Sequence, residues 1–483
     1  MIASKTASTR IGEGVHSLIA SGWRQARGIL AAHTDRDRAQ RDALAAFAIR
    51  IGSAGLLYLS QVALARWMGA ADYGVYVVAW TTVLVLGGLS SIGLNLAAIR
   101  LVPQYREQCD GARLAGLIRG SRRAAFLVGT AVAAAGLAGL WLLGSRIDGI
   151  YVMPAYLALV CIPLYAVTDV QDGIGRGRGW MGLALLPPYV LRPLLVLVAM
   201  GIAHLLALPM TAATAVGAAI VATWISGLVQ LWAMNQHFAA EIGASTPASD
   251  WRPWLGISLP LMATTGAEIT LQCADVLILS RSLAPGDVAI YYAAAKTMSL
   301  ILYVHYAVGS AAANRVAALA TRGDKAGLDR AVHEAIAWTF WPSLAAAALV
   351  LALGRPLLWL FGPEFAAGYP VMMILVLGFL ARSSVGPSDV LLRMLGQHRL
   401  SAAISAATAV IAVLLLLVLI PAYGLTGAAC ATALALVIET GLNWCAAKRR
   451  LGLDIGIWQA RPRHPGPVTL PPTVADACRP SPA

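Results

Sequence analysis

The chain has 483 residues, of which 59% are hydrophobic and only 12% charged, with a mean hydropathy of +0.71. Soluble domains carry roughly 25% charged residues, so a soluble globular chain of this length is excluded, because it could not cover its own surface. The formal net charge of +13 then needs either a polyanionic partner or a topological reason, and the distribution of the cations along the chain supplies the second.

Residues 1–44 form a basic segment without an uninterrupted apolar core, so no signal peptide is expected. Within it Val15, Leu18, Ile19 and Trp23 recur at helical spacing, which fits an amphipathic helix lying on the membrane surface and equally a basic tail without fixed structure. Apolar stretches of about 20 residues, the length that spans a bilayer, follow at 45–66, 73–99, 123–144, 151–170, 182–204 and 211–234. A polar connection occupies 237–253, and six more stretches follow at 254–280, 288–312, 334–354, 369–391, 399–420 and 424–446. Pro163 and the prolines at 187, 188 and 193 interrupt two of these. The proline-rich end, within a segment at 447–483, is expected to lack fixed structure. The sequence therefore predicts an all-α polytopic membrane protein with about twelve transmembrane helices.

Of the 36 lysines and arginines, 28 fall in the termini and in alternate connections, and only Arg66, Arg146, Arg281 and Arg355 fall in the others. By the bias of cytoplasmic loops toward Lys and Arg, both termini are expected in the cytoplasm. The positive charge is this asymmetry, and nucleic acid is not expected as a partner. The six cysteines show no ligand spacing, so neither a metal nor a disulfide is expected.

The segment ARWMGAADYGVYVVAW (65–80) aligns without gaps on SRSLAPGDVAIYYAAA (280–295), pairing Arg66 with Arg281, Asp72 with Asp287 and Tyr76 with Tyr291. Both copies sit at the first hairpin of a six-span half. Six is even, so the halves enter from the same side, as in a parallel repeat about an axis along the membrane normal. Two six-helix lobes related by pseudo-two-fold symmetry, 45–236 and 254–446, are expected to face each other across a cleft.

Charges inside spans are costly and usually functional. The cations are Arg50, Arg192, Lys296 and Arg382; the acids are Glu268, Asp275, Asp389 and Glu439. Arg50 lies near a span end and could instead snorkel. Asp275 and Lys296 stand at similar depth on neighbouring spans and could form an ion pair, structural or broken during transport. Arg382 and Asp389 lie seven residues apart and could neutralise each other. Tyr292, Lys296, Ser299, Tyr303 and Ser310 form a polar stripe that the second span echoes with Gly87, Ser91 and Asn95, marking either helix contacts or a cavity wall. The first lobe shows two cations and no deep acid, since Asp169 is placed at the inner span end. Such a cleft favours an anion, and Arg192, on a helix weakened by Pro187, Pro188 and Pro193, is the candidate ligand for a substrate phosphate, which arginine matches with paired donors.

The segment 65–80, LFGPEF (360–365) and IPAYGLTGAACATA (420–433) resemble the polysaccharide flippase (Wzx-like) family of the MATE-like exporter superfamily. The resemblance implies a MATE-like fold and alternating access. It also implies a cargo of undecaprenyl-pyrophosphate-linked oligosaccharide, flipped across the inner membrane for O-antigen, capsule or exopolysaccharide. Membrane lipids, a polysaccharide polymerase and chain-length machinery would be its partners. It further implies cavity cations, for which Arg50, Arg192, Lys296 and Arg382 are candidates by depth, with Ser91, Asn95, Tyr292 and Tyr303 as polar lining. No cofactor is expected. Coupling to a proton or sodium gradient stays open, with Glu268, Asp275 and Asp389 as candidate acids. The rival within the superfamily is a proton- or sodium-coupled drug antiporter, which would want a deep carboxylate in the first lobe. A membrane glycosyltransferase or polymerase would need richer outer loops, and no phosphate-binding loop motif occurs, so no enzyme is expected.

Overall fold

In lipid every backbone N–H and C=O must be satisfied within the protein, which leaves helices or closed barrels; long apolar runs without alternation select helices. The computed structural model describes residues 35–459 apart from 144, 145, 147, 243–246, 323 and 454, and no strand occurs among them. The expected amphipathic segment at 15–23 and the tail beyond 459 lie outside the described residues.

The first helix, α1 (Asp35–Ser90), is 56 residues long. It starts ten residues before the expected span, because alanines and arginines in its first turns are good helix formers even in water. At Gly69 (φ 75°, ψ 170°) the backbone leaves helical geometry for a region essentially reserved to glycine. Beyond it, the Tyr73 hydroxyl donates to Gln61 Oε1 at 2.9 Å across a separation of 12 residues. A straight helix would put those residues about 18 Å apart, so the two arms of α1 fold back on each other. The last helix, α15 (His398–Leu451), repeats the device at Gly424 (φ 56°, ψ −130°). There a side chain on Gly427 would overlap the Leu419 carbonyl, eight residues and about 12 Å earlier in a straight helix.

Between them run α2 (Leu94–Glu107), α3 (Gly111–Leu143), α4 (Gly149–Arg178), α5 (Met181–Leu186), α6 (Arg192–Leu205), α7 (Ala212–Ile242), α8 (Trp251–Ser282), α9 (Pro285–Ser299), α10 (Leu302–Arg322), α11 (Lys325–Ala352), α12 (Gly354–Trp359), α13 (Tyr369–Ser384) and α14 (Ser388–Met394). Among the described residues nine segments are long and apolar enough to cross a membrane. Two of them, α1 and α15, fold back and so cross twice. The 32-residue α8 is more polar but about 48 Å long, which restores the expected twelve. Several expected spans are broken rather than continuous. The second breaks between α1 and α2 at Gly93 (φ 68°), the eighth between α9 and α10, and the tenth between α13 and α14 at Gly386 (φ 60°).

In the first half α4 is the central helix, packed on α1, α2, α3 and α7; in the second α15 packs on α8, α13 and α14. The halves meet where α1 packs on α9, and where α1 and α2 pack on α8. The arginine-rich connections define a basic side, and the opposite face is called the far side. On the far side the two echoed segments touch each other. A side chain on Gly74 would overlap the Pro285 carbonyl, a Cβ on Gly286 would stand 3.8 Å from Ala70 Cβ, and the Tyr73 and Tyr292 rings meet edge-on at 6.3 Å. Arg66 donates to the carbonyls of Leu360 and Trp359, both at 2.6 Å, and lies over the Trp359 ring at 4.8 Å. Arg66 had been placed only in an outer loop; here it latches one half to the other.

On the basic side the foot of α8 is fastened to the first half. Trp254 Nε1 donates to the Tyr105 hydroxyl at 3.0 Å, and Arg113 pairs with Asp250 at 2.9 Å. By contrast α9 packs on α1 whereas its continuation α10 makes at most marginal contact with it. The halves are therefore sealed on the far side and part between α1 and α10 toward the basic side.

Candidate functional site

The prolines at 187 and 188 cannot donate to the helix ladder, and the chain answers with a π turn over Pro187–Leu191 in which the Arg192 N–H reaches the Pro187 carbonyl. Such single-turn π segments recur at functional positions. Here the turn sets Arg192 at the start of α6 with its guanidinium 5.0 Å from the centre of the Trp80 ring and 5.4 Å from that of Tyr165. The two rings stand edge to face at 6.3 Å. Gly87 makes room for this arrangement, because any side chain there would collide with the Tyr165 ring. Among the described residues no carboxylate forms an ion pair with Arg192.

Arg192 shares a cavity of about 40 Å³ with Thr168, Asp169, Asp172 and Tyr189, enough for about one water molecule. This corrects the expected absence of a deep acid in the first half. Asp169 stands beside Ser91 and Asn95 with Oδ2 buried and without a hydrogen-bond partner, and Asp172 is paired with Arg176. The reason is the length of α4, which runs on to Arg178, so that Asp169 lies more than two turns inside the helix rather than at its end. Ser91 is fully buried and donates to the Gly88 carbonyl at 2.8 Å, so it belongs to a helix contact rather than to a cavity wall. Asn95 Oδ1 accepts from the Leu96 N–H at 2.8 Å.

In the second half Lys296 Nζ lies 5.0 Å from the centre of the Tyr292 ring, and its side chain is exposed although Ala293, Ala294 and Thr297 around it are fully buried. Tyr303 stands just past the break that separates α9 from α10. The ion pair between Asp275 and Lys296 is not formed. Asp275 instead accepts from the Tyr291 hydroxyl at 3.0 Å and from the Val276 N–H at 2.8 Å, and the Tyr291 hydroxyl also meets Thr432 Oγ1 at 3.1 Å. Two helices at equal depth do not suffice; the fully buried Tyr291 reaches the carboxylate first.

Arg382 pairs with Glu439 at 3.5 Å, not with Asp389, because the chain turns at Gly386 between α13 and α14. Asp389 pairs with Arg393 one turn along α14 at 2.5 Å, and Arg393 reaches Glu268 of α8 at 3.6 Å. His305 Nε2, on the buried side, stands 3.6 Å from Asp389 Oδ1. Glu268 and Arg393 are both exposed, and exposed charges in a membrane protein favour a hydrated surface. Arg50 lies on α1, with its side chain outside the described residues.

Sequence reasoning missed Asp169, Asp172, Arg393 and His305 as site residues. The Asp172/Arg176 and Asp389/Arg393 pairs carried a usable signal, since acid and base four residues apart share a helix face. His305 carried none.

The arrangement divides by charge. The first half offers a cation backed by aromatic faces beside two carboxylates, and the second a chain of alternating charges open to water. The two packed helical halves make this a polytopic membrane protein, and the comparisons with known proteins support a flippase or transporter with a MATE-like fold. A family model described as polysaccharide biosynthesis protein matches residues 40–313, more than half of the chain, and the chain belongs to that family. The MatE model matches residues 260–418. No curated protein matches the sequence.

Among solved structures the chain is similar to a multidrug resistance MATE family transporter of the MOP superfamily in its inward-facing conformation. The TM-score is 0.71 at 14% identity, covering 83% of this chain and 94% of that one. It is similar to lipid II flippase MurJ in an inward closed conformation, with a TM-score of 0.67 at 13% identity over 84% of this chain and 87% of that one. It is also similar to an outward-facing multidrug resistance MATE family transporter of the MOP superfamily, with a TM-score of 0.58 at 15% identity over 84% of this chain and 95% of that one.

Proposed function

We propose that this protein moves polyprenyl-pyrophosphate-linked oligosaccharide across the bacterial inner membrane by alternating access, supplying repeat units for O-antigen, capsule or exopolysaccharide. The observation that carries the reading is the state of Arg192 and Lys296. Each half holds one cation set against an aromatic face, Trp80 and Tyr165 for Arg192 and Tyr292 for Lys296, and among the described residues no carboxylate pairs with either. An aromatic face stabilises a cation by roughly 0.5–2 kcal/mol while leaving its N–H groups free for phosphate oxygens. Arg382, neutralised by Glu439, recedes as a ligand. The arginine-rich side is read as cytoplasmic, so the structure corresponds to the state that loads cargo. The glycan would occupy the wet space between the halves and the prenyl tail would stay in lipid at the parting of α1 and α10. Glu268, Arg393, Asp389 and His305 form the chain through which proton or sodium coupling would act, since neutralising Glu268 would release Arg393 from α8 while Asp389 keeps it on α14. A polymerase and chain-length proteins would take the product.

A second reading, a proton- or sodium-coupled drug antiporter, is favoured by one observation: Asp169 and Asp172 stand in the first-half cavity. Deleting the gene and measuring surface polysaccharide, lipid-linked intermediates in each leaflet and drug sensitivity separates the two. The flippase reading expects loss of surface glycan with intermediates held on the cytoplasmic leaflet. Normal glycan with raised drug sensitivity would establish the antiporter instead.

A further inference from the structure

Between α3 and α7, both of which pack on α4, lies a groove of about 490 Å³. Its floor is Leu164 and Val167 of α4; its walls are Phe126 and Leu127 of α3 and Trp224 and Leu228 of α7. At one end stand Arg122 and Arg123. From Ala124 to the end of α3 run twenty residues without a charge, the length of the hydrocarbon core, so the two arginines mark the headgroup level of the basic side. Seven residues of α7 from Trp224 to the level of Leu231 carry the groove about 10 Å into the adjoining leaflet. Arg122 Nη1 donates to Asn235 Oδ1 at 2.6 Å, yet its Nε is buried without a hydrogen-bond partner. Arg123 is exposed, and among the described residues no carboxylate pairs with either.

We infer that this groove is a binding site for an anionic phospholipid, one acyl chain lying on Leu164 and Val167 and the phosphate bridging Arg122 and Arg123. The fit is one of charge and depth together: an apolar trough of leaflet position that ends in two guanidinium groups, one with an unsatisfied donor. Guanidinium matches phosphate oxygens with paired N–H groups. The groove shares no lining residue with the Arg192 cavity, so a prenyl-linked cargo held at Arg192 would meet a different set of side chains. Only its assignment to the cytoplasmic leaflet rests on the orientation proposed above.

The test uses the full-length protein, purified and delipidated in neutral detergent, titrated with dioleoyl phosphatidylglycerol or dioleoyl phosphatidylcholine and read by native mass spectrometry. Two arginines at the headgroup level predict a preference of about thirtyfold for phosphatidylglycerol. Arg123→Gln, on an exposed position that the fold does not need, is expected to lower that preference to about fivefold. Leu228→Trp fills the trough and is expected to remove the bound lipid while transport-independent folding, read by gel filtration, is unchanged. Glycerol 1-phosphate, which has the headgroup chemistry and no chain, is expected not to compete. Equal binding of the two lipids, a preference untouched by Arg123→Gln and Leu228→Trp alike, or displacement by glycerol 1-phosphate would each overturn the site. Displacement of phosphatidylglycerol by undecaprenyl phosphate at much lower concentration would overturn it too, and assign the groove to a prenyl chain.

Discussion

Arg192 is the residue on which the proposed chemistry rests, and its surroundings make graded expectations. Arg192→Ala removes a charge-assisted contact to phosphate and is expected to cut surface-glycan complementation by roughly tenfold to a hundredfold while the protein still accumulates. Trp80→Leu removes only one aromatic face and is expected to cost less, about two- to thirtyfold; a Trp80→Leu loss as deep as that of Arg192→Ala would show that the ring, not the cation, meets the cargo. Asp275 and Lys296 make the opposite kind of expectation. Because Asp275 is held by Tyr291, exchanging Asp275→Lys with Lys296→Asp is expected not to rescue either single change, and rescue in the complementation assay would restore the ion pair. At this scale the sequence was only partly legible. The identities of Arg192, Lys296, Glu268 and Asp389 as unusual charges could be read from depth alone. Their partners could not, because a pairing depends on side-chain reach and on where a helix breaks: Gly386 turned Arg382 toward Glu439, and Arg393, assigned to a connection, became the link between Glu268 and Asp389.

Among the elements, the helices themselves followed from apolar length, and twelve crossings were readable because each needs about 20 apolar residues. What length does not encode is how two crossings join. Gly69 and Gly424 carry α1 and α15 through sharp reversals with a single residue outside helical geometry, where only a short connection between two spans was expected. Both adopt positive φ that a Cβ opposes, at an order of 1–3 kcal/mol each. Gly69→Ala and Gly424→Ala are therefore expected to lower the melting temperature of the purified protein, whereas Gly55→Ala, where a Cβ meets nothing within 4 Å, is expected to leave it unchanged. Equal melting of all three would mean that the reversals tolerate a side chain. The breaks after Ser90, Ser299 and Ser384 were equally hidden, since a run of apolar residues reads the same whether its helix is straight or interrupted. The π turn is the exception: the prolines at 187 and 188 announced a weak helix, and the structure places the irregularity there.

For the molecule as a whole, the far-side seal makes the most direct expectation. Ala70 and Gly286 would bring their Cβ atoms to 3.8 Å, the mean separation in a disulfide, so Ala70→Cys with Gly286→Cys should cross-link under oxidation. Cross-linked protein is expected to lose transport and to regain it on reduction; full transport with the link intact would show that this seam never opens. Arg66→Ala, which releases the carbonyls of Trp359 and Leu360, is expected to raise the accessibility of that seam to water-soluble thiol reagents in Ala70→Cys protein. The duplicated segments were visible in the sequence, but nothing there said that each copy rests on the other. That reciprocity has a kinetic meaning. The contact joins the same turn of both copies, as a self-complementary seam does: Gly286, the counterpart of Ala71, meets Ala70, and Gly74 meets Pro285, the counterpart of Ala70. Such a seam has no half-undone form: pulling one copy away necessarily frees its twin. Unsealing should then behave as one concerted event with a single relaxation time, and not as a zipper with stable intermediate stops.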